Sequence, residues 1–230
     1  MKIRAVLFDL DGTLADTAPD MGGALNELRS ERGLEPFPAG RIRPWVSHGG
    51  AALVRLGFPG LAGEEFEALR LRFLALYARR LARETRLFDG GAELIDALDA
   101  LAVPWGVVTN KPGWLTDPLL EGLGLAARVA TVVSGDTLPQ KKPHPLPLQH
   151  AAAGIGLACA EVAYVGDAER DMLAAQAAGM PGIAARFGYI GPDDVPESWP
   201  QVASIDSLAA LLPWLQANGL QAGGTRPGAP

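Results

Sequence analysis

Asp9 and Asp11 follow directly on the apolar run Ala5-Val6-Leu7-Phe8 and lead into Gly12-Thr13-Leu14. Side chains alternate along an extended strand, so two residues in an i, i+2 relation point to the same side. Two carboxylates at the mouth of an apolar strand repel one another unless a cation joins them or one keeps its proton. A carboxylate nucleophile, a proton donor and a metal site could all be built from such a pair. Alone, the segment also reads as an ordinary strand closing in an Asp-Gly turn, so the pair needs partners elsewhere in the chain.

Three other strand ends supply them. Trp105-Gly106-Val107-Val108 runs into Thr109-Asn110-Lys111, whose hydroxyl, amide and ammonium can donate to an anionic oxygen. Lys142 stands in Lys141-Lys142-Pro143-His144-Pro145, where two prolines restrict the backbone and favour a helix start. Asp167 follows Ala163-Tyr164-Val165-Gly166, and Asp171 lies one helical turn further on the same face. Carboxylates there can complete an oxygen shell for Mg²⁺, which keeps several waters and takes few protein ligands. Taken singly, these are a strand residue, a turn former, a solvated lysine pair and a helix cap. Lysine is scarce, however: only Lys2, Lys111, Lys141 and Lys142 occur, and none falls between Asp16 and Phe88. Together the four strand ends make a magnesium-and-phosphate site.

The elements that must position these residues form two regimes. Met21 to Arg32 predicts a helix with Asp20 as its N-cap and Gly33 as its stop. A second helix, broken at Gly49 and Gly50, is predicted over Arg41 to Leu56. A third spans Glu64 to Arg83, with Phe66, Leu69, Phe73, Leu76 and Tyr77 on one packing face. From Phe88 onward helix and strand alternate. Helices are predicted over Ala92 to Leu101, Leu115 to Leu123, Pro145 to Ala153, Glu169 to Ala178 and Leu208 to Gln216. Strands are predicted over Trp105 to Thr109, Val129 to Val133, Glu161 to Val165 and Gly182 to Ala185. Near-continuous apolar strands separated by helices indicate an α/β fold with a doubly wound parallel sheet, which binds ligands at the carboxyl ends of its strands. The expected organisation is a core of residues 1–15 and 88–218, a helical segment over 16–87, and a disordered tail over 219–230.

Composition narrows the class. A chain of 230 residues with 48 % hydrophobic and 20 % charged content is globular, and its net charge of -6 gives no footprint for nucleic acid or an anionic membrane. No apolar run reaches the length of a membrane span, and no signal-peptide pattern precedes the first strand. The single Cys159 cannot form an internal disulfide, which fits a reducing cytoplasm.

In this order, Asp9-Leu10-Asp11-Gly12-Thr13, Val108-Thr109-Asn110, Lys142-Pro143 and Gly166-Asp167 with Asp171 resemble the four motifs of the haloacid dehalogenase-like hydrolase superfamily. The resemblance extends to about Leu215 and implies that the segment after the first strand is a small α-helical cap. It implies Asp9 as nucleophile and Asp11 as general acid and base. It also implies Mg²⁺ held by Asp9, the Asp11 carbonyl, Asp167 and Asp171, with Thr109, Asn110 and Lys142 binding the phosphoryl group. Dehalogenases of the superfamily lack the second aspartate, and phosphonoacetaldehyde hydrolases need a cap lysine, so neither matches this chain. Phosphosugar mutases and a non-enzymatic paralogue remain open, although no motif residue is lost. Phe88-Asp89-Gly90, Val107 to Pro112 and Ser134-Gly135-Asp136 are similar to the phosphoglycolate phosphatase branch. Asp16 to Asp20, Trp105 to Val108 and Phe187 to Ile190 with Trp199 are also similar to N-acetylmuramic acid 6-phosphate phosphatases. The expected partner is therefore a small phosphorylated metabolite, with the chain a monomer or small homo-oligomer. Arg43 and His48, in the Arg43 to Gly50 stretch, are candidates for binding a substrate carboxylate.

Overall fold

Short runs of Val, Ile and Ala become strands because both of their faces can be buried. In the computed structural model, which describes residues 2–222, the chain opens with β1 (Ala5–Phe8) and a two-residue strand β2 (Ala15–Asp16). Helices α1 (Ala18–Glu31), α2 (Ala39–Ile42), α3 (Gly49–Gly57) and α4 (Gly63–Ala78) follow, with a 3-10 helix over Arg43–His48. The short β3 (Arg86–Leu87) then returns antiparallel to β2, pairing Ala15 with Leu87 and Asp16 with Arg86. The remainder alternates: α5 (Gly91–Ala100), β4 (Trp105–Val108), α6 (Gly113–Gly122), β5 (Thr131–Val133), α7 (Leu146–Gly154), β6 (Val162–Gly166), α8 (Glu169–Ala178) and β7 (Gly182–Ala185). It closes with β8 (Ala203–Ile205) and α9 (Leu211–Ala217).

Among the described residues, six strands form one parallel sheet in the order β5-β4-β1-β6-β7-β8. The α/β doubly wound class is therefore as expected. Alternation along β1 divides its side chains between two apolar layers. Val6 and Phe8 pack with Leu94, Ile95, Leu98 and Leu211, while Ala5 and Leu7 pack with Leu148, Tyr164 and Ala174. Burying a side chain such as Phe8 or Leu7 stabilises the fold by ~1.5–3 kcal/mol each, which fixes the strand ends rigidly. The helices between β2 and β3 bury a third cluster around Leu25, Leu28, Leu53, Phe73 and Leu76. The outward and return legs of this helical segment are joined at the base by the β2–β3 pair.

Several boundaries differ from expectation, each for a physical reason. The first helix begins at Ala18 with Thr17 at its N-cap position, and Asp20 is not the cap. Asp20 is buried and accepts from the Glu84 and Thr85 N–H groups and the Thr85 hydroxyl, tying the start of the segment to its end. Pro44 stands at the start of the 3-10 helix, so the predicted Arg41–Leu56 helix divides into α2, that 3-10 turn and α3. The last predicted helix is a 3-10 turn at Leu208–Ala210 followed by α9. Residues 219–221 are not tail: Ile3 donates to the Gly219 carbonyl at 3.2 Å and Gln221 donates back to Ile3 at 2.9 Å. The rest of the expected tail, from 223, lies outside the described residues. No described helix is long and apolar enough to cross a membrane.

Candidate active site

β1 ends at Phe8, so Asp9 leaves the sheet with its N–H still donating to Val165 O of β6 at 2.8 Å. The sheet order changes direction around β1, where α/β sheets open a crevice at their carboxyl edge. Into that crevice project Asp9, Asp167 and Asp171, each at most 5 % exposed. One oxygen from each lies within 4.8 Å of the others.

Lys142 neutralises part of this charge. Its Nζ lies 2.9 Å from Asp9 Oδ1 and 2.7 Å from Asp171 Oδ1, and donates to Val108 O at 2.8 Å and Tyr164 Oη at 2.7 Å. Four oxygens thus surround an ammonium with three N–H groups. Asp171 Oδ1 accepts from Tyr164 Oη at 3.2 Å, whereas Asp9 Oδ1 is left without a well-directed hydrogen bond despite its proximity to Nζ. Burial alone would lower the Lys142 pKa, but Asp171 and then Asp9 pull it above the ordinary lysine value. Asn110 braces the lysine backbone from both sides. Its Oδ1 accepts from Lys142 N at 3.0 Å and its Nδ2 donates to Lys142 O at 2.9 Å.

Three buried carboxylates against the two cations Lys142 and Arg170 leave the cluster short of positive charge. Burial first, then Asp9 and Asp171, push the Asp167 carboxyl up to about 7, and burial raises Asp171 against the pull of Lys142. Asp9 Oδ1 is a buried oxygen without a directed donor. That oxygen set and the charge deficit fit a small divalent cation. The turn after Asp9 is built for close approach to Asp167. Gly12 has φ +88°, and a Cβ there would collide with the Asp167 carboxylate and the Tyr189 ring. Asp167 accepts from Thr13 Oγ1 at 3.3 Å, Tyr189 N at 2.8 Å and Ser47 Oγ at 2.6 Å.

Asp11 occupies the same cavity but a different electrostatic setting. It stands beyond the strand, in the turn, and its carboxylate is not part of the three-aspartate cluster. Lys111 Nζ lies 2.9 and 3.2 Å from its two oxygens, and Thr17 Oγ1 donates to it at 2.7 Å. Burial would lower the Lys111 pKa, yet Asp11 and Tyr77 hold it above the ordinary lysine value. The Asp11 carbonyl, expected to face the metal, lies 3.4 Å from Ser47 Oγ, whose proton goes to Asp167.

A cavity of about 390 Å³ lies against these groups. Asp9, Asp11, Thr109, Asn110, Lys111, Lys141 and Arg170 line its core side, and Met21, Val46, Ser47, His48, Gly50, Arg70, Leu74 and Tyr77 its helical side. Of the sequence-predicted residues, Asp9, Asp11, Thr109, Asn110 and His48 reach it. Burial, then the charge of Arg170, lowers the His48 pKa and favours its neutral form. Arg43 does not line the cavity. Its guanidinium grips Asp16 at 2.9 and 3.0 Å, and Asp16 also accepts from Tyr189 Oη at 2.7 Å. Ser47 and Lys111 fall in stretches that the sequence points to without a role of their own, Tyr77 reads there as packing, and Arg70 and Arg170 carry no sequence signal. Arg170 donates to the Ser47 carbonyl at 2.6 Å, so the 3-10 helix is held to α8 as well as to Asp167.

Residues 6–185 match the model of the haloacid dehalogenase-like hydrolase family. The chain belongs to that family. Among haloacid dehalogenase-like relatives, a phosphoglycolate phosphatase of Xanthomonas campestris is 48 % identical over 196 residues, covering 85 % of this chain and 89 % of the relative. An N-acetylmuramic acid 6-phosphate phosphatase of Pseudomonas putida is 42 % identical over 200 residues, covering 86 % and 90 %. The fold is similar to the crystal structure of a predicted phosphoglycolate phosphatase from Haemophilus somnus, with a TM-score of 0.84 at 26 % identity, covering 94 % of this chain and 99 % of that one. Three of the four motif segments quoted from the sequence lie at the ends of β1, β4 and β6, whereas Lys142-Pro143 lies nine residues beyond the end of β5, just before α7.

Proposed function

We propose that this chain hydrolyses small phosphate monoesters through an aspartyl-phosphate on Asp9, with 2-phosphoglycolate as its substrate. The carrying observation is the meeting of Asp9 with Lys142, Asp167 and Asp171, while Asp9 and Asp11 both line one cavity. Family membership and relatives named as phosphatases make it a phosphoric monoester hydrolase.

Asp9 attacks phosphorus through a carboxylate oxygen, and the bond from phosphorus to the ester oxygen breaks. Asp11 gives its proton to the departing alkoxide, then takes one from the water that attacks phospho-Asp9. Inorganic phosphate leaves and Asp9 is restored. Lys142 and Thr109 hold the phosphoryl oxygens in line with Asp9, since phosphoryl transfer depends on positioning and charge neutralisation. Mg²⁺ would be held by Asp9, the Asp11 carbonyl, Asp167 and Asp171, and would offset the charge on the phosphoryl oxygens. The helical segment between β2 and β3 acts as a cap that excludes water, and its inner wall chooses the ester. The free Cys159 and the net charge of -6 support a cytoplasmic enzyme acting on a small metabolite.

The cavity itself favours a second reading, N-acetylmuramic acid 6-phosphate. Its volume of about 390 Å³ exceeds what a two-carbon acid fills and falls in the ~300–1,000 Å³ range of sites for larger ligands. Met21, Val46 and Leu74 offer an apolar wall for a sugar face. Phosphate release from 2-phosphoglycolate, N-acetylmuramic acid 6-phosphate and hexose phosphates, compared by kcat/KM with Mg²⁺, separates the readings. The two-carbon ester leading supports the first, and the amino-sugar ester leading replaces it with the second. Turnover of none sinks both.

A further inference from the structure

Asp11 is braced from behind by a buried pair that crosses from one part of the fold to the other. Lys111, 7 % exposed at the end of β4, places Nζ 2.9 and 3.2 Å from the Asp11 oxygens and 2.8 Å from Tyr77 Oη. Tyr77, 1 % exposed, comes from α4 in the helical segment. The two Asp11 oxygens belong to one carboxylate and lie on one side of the ammonium, Tyr77 Oη is its other acceptor, and Lys111 also lines the cavity. Thr17 Oγ1, donating at 2.7 Å, holds the same carboxylate from the start of the helical segment. Rotation of the Asp11 carboxylate is thus limited by contacts on two sides.

We infer that Lys111, held in place by Tyr77, is a positioning residue that aims the Asp11 carboxyl at the leaving-group oxygen. The inference rests on the phosphatase reading, in which Asp11 protonates that oxygen. The brace exists only while α4 lies against the end of β4. Proton delivery is thereby coupled to docking of the helical segment, so Asp11 is aimed when the cavity is closed. The hydroxyl of Tyr77 is the link, because its ring also packs parallel to Phe73 with centroids 6.3 Å apart.

Leaving-group dependence tests this. An alkyl phosphate needs its departing oxygen protonated, whereas p-nitrophenyl phosphate releases a stable phenolate without help. The quantity is kcat/KM, which reports transfer to the enzyme and not the later hydrolysis. For Tyr77→Phe we expect about a tenfold loss on 2-phosphoglycolate or N-acetylmuramic acid 6-phosphate, whichever wild type prefers, and for Lys111→Met about 10²-fold, within the usual span of general-acid catalysis. The loss on the aryl ester should be at least about tenfold smaller than on the alkyl ester for Lys111→Met, and kcat should carry it more than KM. The double variant should be no worse than Lys111→Met, since both changes remove one brace. Equal losses on both esters, or a raised KM with kcat unchanged, overturn the inference. If Lys111→Met does not fold, Tyr77→Phe decides by the same ester comparison. Wild type releasing phosphate from neither ester is a different result, and overturns the phosphatase reading instead.

Discussion

Ser47 Oγ donates to Asp167 Oδ2 at 2.6 Å, joining the 3-10 helix at Arg43–His48 to the three-carboxylate cluster. The donor comes from the helical segment and the acceptor from the end of β6, so this contact reports whether the two are docked. A cation in the cluster draws on the same carboxylate. At pH 8, where Asp167 is ionised, replacing Ser47 by Ala removes a hydrogen bond to a charged acceptor, ~1.5–3 kcal/mol at full strength and toward the lower end at this part-buried position. Thermal melting should therefore show Ser47→Ala less stable than wild type without metal. With saturating Mg²⁺ the gap should narrow, because the cation then satisfies Asp167. An unchanged gap would show that Asp167 is not a ligand.

The second prediction concerns pH. Asp167 is pushed from 3.8 to about 7, mainly by burial and next by Asp9 and Asp171. Between those values the folded protein holds a proton that the unfolded chain has released. Stability from this group therefore falls as pH rises through the window, and changes no further above it. Metal binding displaces that proton, so affinity rises across the same window. The Mg²⁺-induced increase in melting temperature should be larger at pH 8 than at pH 5.5, by the linkage of ligand to stability. Equal increases at both pH values would contradict the coupling.

Lys142 offers a third test. Its ammonium sits within 2.9 Å of Asp9 and 2.7 Å of Asp171, and its side chain is 1 % exposed. Lys142→Met leaves two carboxylates buried without their cation, a class of change that costs ~3–5 kcal/mol. Loss of the donor should lower kcat by about 10²–10³-fold, the scale set by removing one donor to a developing anion. Part of the lost stability should return with Mg²⁺, which supplies positive charge to the same cluster. Denaturant unfolding with and without the ion measures both effects.

The core was legible in the sequence because its signals are local. Four-residue apolar runs such as Ala5–Phe8 and Trp105–Val108 end in polar residues that stay where the strand leaves them. β8 gives no sequence signal because Ala203–Ile205 is three residues long and only partly apolar. Asp20 looks like a helix cap from its neighbours, but its partners are Glu84 and Thr85, more than sixty positions away. Arg43 looks like a substrate ligand because Asp16, its actual partner, lies outside any local window. Tyr77 joins a packing stripe through its buried ring, and nothing in helical spacing reveals that its hydroxyl meets Lys111. In each case folding, not periodicity, brings the partners together.

The central claim is that Asp9 carries the phosphoryl group with a divalent cation beside it. Phosphate release from p-nitrophenyl phosphate by wild type and Asp9→Asn, each with Mg²⁺ and with chelator, tests it most directly. Wild type should turn over only with Mg²⁺, and Asp9→Asn should lose at least about 10³-fold while keeping its melting temperature near that of wild type. Equal activity in the two proteins, or turnover undiminished by chelator, would contradict the account.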